Sequence, residues 1–244
     1  MTIFFGDRPL PQAASLVGLA LIISTTIASY TAFSIKAAAD IIEVTGSAKV
    51  AVQADYARLM INLESRTGLT NQTEGYRRVE AAADKAVVYM RSLGLEEIET
   101  PAPSIFPTYT YPQYGEPILT GYQVSRQIVV RGSNIEAIQA LANSVEPYAG
   151  AGYTVTIGAV ELTYQNLPET RVTLLTEAIA DAKARAEAIA KETGRGVGDL
   201  RTASSGVVQV LPAGGVEVSD YGMYDTSSVD KEVMVTVRAK FSLK

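Results

Sequence analysis

Residues 232–243 read EVMVTVRAKFSL, the cleanest strand pattern in the chain. Val233, Val235, Val237, Ala239, Phe241 and Leu243 fall on one face, and Glu232, Met234, Thr236, Arg238, Lys240 and Ser242 on the other, the period of a half-buried strand. The preceding AGGVEVSDYGMYDTSSVD is a Gly- and Ser-rich loop, and residues 203–212 form a second closing strand ahead of it. Further back, the spacing predicts a helix over 168–193. Asn166 is its N-cap, Pro168 lies in the first turn, Glu169 completes a capping box and Gly194 is the stop. Val172, Leu175, Ile179, Ala182, Ala186 and Ile189 make the expected buried stripe, narrow enough for close packing on a sheet.

The middle of the chain continues this alternation of strands and helices. Residues 152–164 read as a strand whose apolar phase switches at Gly158-Ala159, which predicts a β-bulge. A short helix spans Asn134 to Val145. Before it, LEEIETPAPSIFPTYTYPQYGEPILTGYQVSRQIVVRGS carries prolines at 101, 103, 107, 112 and 117, which forbid a central strand. Its two ends can pair around a protruding loop. Tyr122, Val124, Ile128 and Val130 alternate on the returning strand with Arg126 in phase, so Arg126 either meets a carboxylate or is turned outward by a bulge. A helix spans 70–93, opened by an Asn71/Glu74 capping box and closed by Gly94. Residues 41–67 read as a hairpin turning at Thr45-Gly46-Ser47. The order ββ-α-ββ-α-β-α-ββ implies an α+β fold: an antiparallel or mixed sheet with helices packed on one face. No short-period repeat is present.

Ahead of this domain, residues 9–35 hold no charge, enough for the about 20 helical residues that span a bilayer core. Residues 1–39 are therefore expected to be an N-terminal transmembrane anchor or uncleaved signal segment, with 40–244 the extracytoplasmic domain. The alternative is a secretory signal cleaved after Ala39 in Ala37-Ala38-Ala39, releasing a secreted or periplasmic protein. Ala14, Gly18, Ser24, Ala28 and Ala32 recur at four-residue spacing, a candidate ridge for packing of membrane helices. The lipid bilayer is the expected partner of this helix.

Composition narrows the chemistry. The 244 residues include no Cys, His or Trp, which excludes thiol nucleophiles, disulfides, His-dependent triads and the usual Zn, Cu and haem ligand sets. Twenty-one Lys plus Arg against 26 Asp plus Glu give a net charge of −5, so nucleic acid is not an expected partner. Without Arg8, Lys36 and Asp7, the exported part keeps 19 basic and 25 acidic residues, a net −6. Ser204 and Ser205 lack the S-x-x-K spacing or strained elbow of a nucleophile. Nothing in the sequence brings two of Asp55, Glu64, Glu161 and Glu177 together as a carboxylate pair. Gly194-Arg195-Gly196-Val197-Gly198 follows a helix instead of joining a strand to one, so it is a helix stop and no phosphate loop. No catalytic, cofactor-binding or metal-binding residues are expected, and no cofactor.

The informative residues are aromatic. Phe106, Tyr109, Tyr111 and Tyr114 on the Pro-rich loop, and Tyr221, Met223 and Tyr224 on the late loop, place amphipathic side chains on two excursions from the sheet. Such rings offer large contact area at low entropy cost. The alternative is that they fold back over the sheet edge.

The strings VTGSAKVAVQADYARLMINLES, PSIFPTYTYPQYG leading into TGYQVSRQIVVR, and AIADAKARAEAIAKETGRGVGDL, in this order and spacing, resemble the SIMPL-domain family of YggE-like envelope proteins. The resemblance covers about residues 41–243. Ala54 stands where the family often has Pro before the Asp, and the long hydrophobic span departs from the family's usual cleavable signal. The resemblance implies an extracytoplasmic α+β domain without an established catalytic site, links to envelope stress in some relatives, and ring-like or barrel-like oligomers. The resulting expectation is a non-enzymatic, membrane-anchored envelope protein, a ring- or cage-like homo-oligomer acting as scaffold or enclosure. A soluble periplasmic binding or stress-protective protein is the alternative.

Overall fold

The computed structural model describes residues 10–215, 219 and 221–244, and within the first helix the side chains of residues 17–31. The elements run α1 (Leu10–Ala39), β1 (Ile41–Gln53), β2 (Tyr56–Thr67), α2 (Gln72–Ser92), β3 (Glu97–Glu99), β4 (Ser104–Thr110), β5 (Ile118–Gly132), α3 (Ile135–Ala142), β6 (Thr154–Ile157), β7 (Glu161–Thr163), α4 (Leu167–Glu192), β8 (Val197–Ser205), β9 (Gln209–Pro212) and β10 (Asp230–Leu243). One sheet has the order β1-β10-β8 with β9 also on β10; the other has the order β3-β5-β2-β6, with β4 on β5 and β7 on β2. The strand pairings with a described register are antiparallel, the isolated Val210–Tyr224 bridge is parallel, and the α+β class expected from the sequence is the class observed. The chain divides into two compact units: Met1–Gly46, Ala178–Ser205 and Val237–Lys244 in the first, Ser47–Glu177 and Gly206–Thr236 in the second.

In the second unit, β2 alternates buried and half-buried residues along most of its length. Ala57, Leu59, Ile61 and Leu63 form the buried face with Val124, Ile128 and Val130 of β5, and α2 and α3 cover that face through Val79, Ala83, Ala86, Met90, Ile138 and Leu141. Truncating one of the larger of these side chains costs about 2–5 kcal/mol. Gly94 adopts φ +77° and the Leu95 amide returns to the Met90 carbonyl at 3.2 Å, the left-handed stop expected there. The bulge at 158–159 is also present. Ile61 faces Ile157 but Arg58 faces Glu161, one residue further than an unbroken register allows.

Three expectations for this unit are corrected. Residues 41–67 are no hairpin, because β1 and β2 belong to different sheets and the chain turns at Ala54-Asp55 instead of 45–47. The Ala54 amide bonds to the Val229 carbonyl at 2.8 Å, the Asp55 amide to Thr163 at 3.0 Å, and the Asp55 carboxylate accepts from the Gln165 amide at 2.8 Å. Those bonds hold the turn. Asn71 caps α2 by position without a side-chain hydrogen bond; Glu74 accepts from Arg77 at 2.7 Å and Arg78 at 3.0 Å instead. Arg126 meets neither a carboxylate nor a bulge. The β2–β5 register is unbroken, placing Arg126 opposite buried Leu63, and its guanidinium donates to the Pro101 carbonyl.

In the first unit, β8 pairs with the end of β10 from Val237/Ser205 to Leu243/Val197, with register shifts on both sides of Phe241. The closing strand thus splits into β8 and β9 where one strand over 203–212 was expected. The α4 stripe keeps Ala182 and Ala186, buried as expected, but its other positions are shifted. Ala178, Ala182, Ala186 and Ala190 are buried here, as is Leu174 in the second unit's part of the helix, while Val172 and Ile189 are 65% and 53% exposed. Gly46 supplies the reason: a Cβ there would lie 2.1 Å from the Ala178 carbonyl oxygen and 2.4 Å from the Ala182 amide nitrogen. A strand that approaches a helix this closely leaves room for alanine and none for branched side chains. Gly194, at φ +70°, ends the helix as expected. The domain's entry is tied down by the Arg195–Asp40 ion pair at 3.0 Å and by the Leu243 amide on the Asp40 carbonyl at 2.9 Å.

Within α1, the Ser24, Thr25, Thr26 and Thr31 hydroxyls bond to carbonyls one turn back at 2.7–3.0 Å, which satisfies them inside the helix. Among the described residues, no helix is long and apolar enough to cross a membrane, so the transmembrane expectation draws no support from the described part of α1. A Cβ added at Gly18 would meet nothing within 4 Å, Ser24 is bonded to the Leu21 carbonyl and Ala28 is exposed. Ala14 and Ala32 lie outside the residues whose side chains are described.

Candidate interface of exposed aromatic residues

The first aromatic group sits on the β4–β5 hairpin. Pro107 is tolerated because, among the described residues, β4 pairs only with β5, leaving its other side free of ladder bonds. The register shifts between Thr108 and Tyr109, and Gly115 in the connecting loop takes φ +105°, a conformation other residues rarely adopt. Phe106 is 58%, Tyr111 75% and Tyr114 87% exposed, with Tyr109 and Ile118 also at the surface. These exposed apolar and phenolic side chains lie along one hairpin, on β4, its connecting loop and the start of β5.

The second group lies between β9 and β10, where Ser219 and residues 223–225 are pinned. Gln209, buried, accepts from the Met223 amide at 2.8 Å and donates to the Ser219 carbonyl at 2.5 Å. The Val210 amide reaches the Met223 carbonyl at 2.7 Å and the Asp225 amide the Val210 carbonyl at 2.8 Å, so Tyr224 bridges to Val210. The Tyr224 hydroxyl accepts from the Tyr164 amide at 2.9 Å and donates to the Tyr164 carbonyl at 3.3 Å. Met223 is half-buried, whereas Tyr221 projects 97% exposed.

Below this loop lies a cluster that sequence reasoning missed. The Lys231 ammonium, with a fully buried side chain, is 3.0 Å from the Asp225 carboxylate and donates to the Asp225 carbonyl at 2.6 Å. Asp225 also accepts from the Ser227 amide at 3.0 Å and hydroxyl at 2.6 Å, from the Ser228 amide at 3.2 Å and from the Ser228 hydroxyl. Burial pushes the Asp225 carboxyl up, but the hydrogen bonds from Ser227, Ser228 and Lys231 outweigh it and hold the group far below the usual carboxylate range. The signal was available: carried back two residues from Val233, the inward series of β10 reaches Lys231.

The residues weighed as catalytic do not converge. Asp55 holds the Ala54-Asp55 turn, Glu64 accepts from the Asn62 side-chain Nδ2 at 2.7 Å, and Glu161 pairs with Arg58 at 2.9 Å. Glu177 lines a groove beside β1, and Ser204 and Ser205 pair with Arg238 and Val237 in the β8–β10 ladder. Among the described residues, no group of three or more His, Cys, Asp or Glu could hold a metal ion.

An antiparallel α+β domain with two surface aromatic groups is the class that fold and site define. The family model SIMPL, a protein of unknown function (DUF541), matches residues 42–241. The chain belongs to the SIMPL family, as the resemblance implied. No curated protein matches it.

Proposed function

We propose that this chain is a non-enzymatic, membrane-anchored envelope protein that assembles with copies of itself into a ring- or cage-like scaffold or enclosure, with the β4–β5 hairpin as a principal contact. The carrying observation is the exposure of Phe106, Tyr111 and Tyr114 on one hairpin. Rings of this kind dominate interface energetics because they bury much area for few frozen torsions. Pro107 removes a donor from the β4 edge, which favours contact through side chains over strand addition there. The anchor reading rests on the uncharged stretch 9–35 of the sequence, more than the about 20 helical residues that a bilayer core requires. Tethering raises effective concentration, so weak ring-to-ring contacts suffice.

The alternative, a periplasmic protein released after Ala39, is favoured by one observation. Asp40, the residue after the cut, is already bound to Arg195 and to the Leu243 amide. Native mass measurement on protein extracted from membranes in mild detergent, with the subunit mass read from the same sample, tests both readings. A discrete multimer of full-length subunits is expected; a monomer beginning at Asp40 overturns the anchored assembly.

A further inference from the structure

The sheets expose edges of unequal character. β4 is interrupted by Pro107 and by the register shift after Thr108, and β3, β6 and β7 are three or four residues long. β8 meets β10 through two register shifts. β1 ends its sheet on the other side of β10, and its stretch in the second unit, SAKVAVQ at 47–53, holds no proline and a single charge, Lys49. Edges are ordinarily blunted by charge, proline or bulges; this one carries Lys49 alone. Lys49, Val50 and Ala51 are exposed, Val50 by 39%.

A groove of about 570 Å³ runs beside this edge, lined by Lys49, Val50, Ala51 and Val52 and, across from them, by Leu174 and Glu177 of α4. Successive strand residues point to opposite faces, so four consecutive residues on one wall mean that the backbone edge itself borders the groove. The faces are assigned by contacts. Ala48 and Val52 pack on the Leu174, Val233 and Val235 cluster. Lys49 pairs with Glu232 at 3.1 Å and Gln53 with Asp230 at 2.9 Å on the opposite face.

We propose that this edge pairs with the same edge of a second copy of the chain, antiparallel, about a two-fold axis through Val50. This rests on the self-assembly reading above and names a second contact for it. With Val50 opposite its own copy, two half-exposed valines cover each other on the inner face, and Ala48 meets Val52. On the outer face Lys49 meets Ala51 of the partner subunit, so no like charges face each other and both lysines keep Glu232. A closed two-fold contact of this kind satisfies the edge and stops further growth at that edge.

Ala51→Lys tests the register in the full chain in mild detergent. The substitution sits at an exposed position and places a second cation opposite Lys49 twice in the symmetric pair. Directly opposed like charges are destabilising by up to about 1 kcal/mol each, so the dissociation constant is expected to rise about tenfold, 1.4 kcal/mol being one decade. High salt restores assembly by screening, Ala51→Gln assembles as wild type, and the melting temperature stays put. Wild-type assembly of Ala51→Lys at low salt, or an equal loss in Ala51→Gln, overturns the β1 pairing and leaves self-assembly through the tyrosine hairpin standing. A monomeric wild-type chain overturns both.

Discussion

The two aromatic loops look alike in sequence and differ in how they are held. The loop of Tyr111 and Tyr114 is the tip of a two-stranded excursion, and its rings are among the most exposed apolar side chains of the second unit. The loop of Tyr221, Met223 and Tyr224 is riveted at both ends: Gln209 and the Val210 bridge hold one part, and the Asp225–Lys231 pair the other. Of its three candidate side chains only Tyr221 projects fully into solvent. An exposed ring on a free hairpin is available for contact; a ring on a pinned loop also reports on the folding of the sheet beneath it. Mutations are therefore expected to separate the two groups, the hairpin acting on the assembly proposed above and the pinned loop on stability.

The largest effect is expected at Asp225. Asp225→Ala leaves the buried Lys231 ammonium without its counter-charge, and removing one partner of a buried pair costs about 3–5 kcal/mol. Urea unfolding reads this as a lower midpoint with unchanged slope. The pair also predicts an acid limb. Because the folded carboxyl titrates far below its ordinary value, the unfolded state binds more protons in acid. The stabilisation is full above about pH 4, near the unfolded carboxylate value, and drains as the pH falls towards the folded value. Glu74, held down to about 2 chiefly by the Arg77 hydrogen bond, acts in the same direction from the exposed surface of α2. Midpoints measured from pH 7 down to pH 2 should show the limb, and Asp225→Ala should flatten it; equal slopes for both proteins contradict the assignment.

A smaller loss is expected at Gln209. Gln209→Ala orphans the Met223 amide and the Ser219 carbonyl, at about 1–3 kcal/mol, and should speed hydrogen exchange in the 219–225 loop ahead of global unfolding. A loop that exchanges as slowly as before would show that Gln209 is no rivet.

What the sequence made legible was local. The glycine stops at 94 and 194 and the bulge at 158–159 depend on residues within one turn or one ladder step, and each is found where the pattern put it. The hairpin over 41–67 failed because the partner of β1 is β10, nearly the whole domain away in sequence. Gly46 signalled close approach of a helix, not a turn. The α4 stripe was legible only in part: Ala182 and Ala186 are buried as expected, but the more hydrophobic Val172 and Ile189 are exposed, because beside Gly46 the helix leaves room only for alanine. At the candidate site, the Pro- and Tyr-rich composition marked the rings. Their different restraint was not legible, because it comes from Gln209 and Lys231, polar residues in strands whose burial is set by the three-dimensional packing.

The smallest effect on stability, and the most direct test of the central claim, belongs to the free hairpin. Tyr109→Ala combined with Tyr111→Ala removes two surface rings, and surface changes of this kind usually shift stability by about 0.5 kcal/mol or less. Mass and thermal melting measured on the same full-length sample decide the matter. The account predicts a lower assembly state with an unchanged melting transition. An unchanged mass with unchanged melting would contradict it.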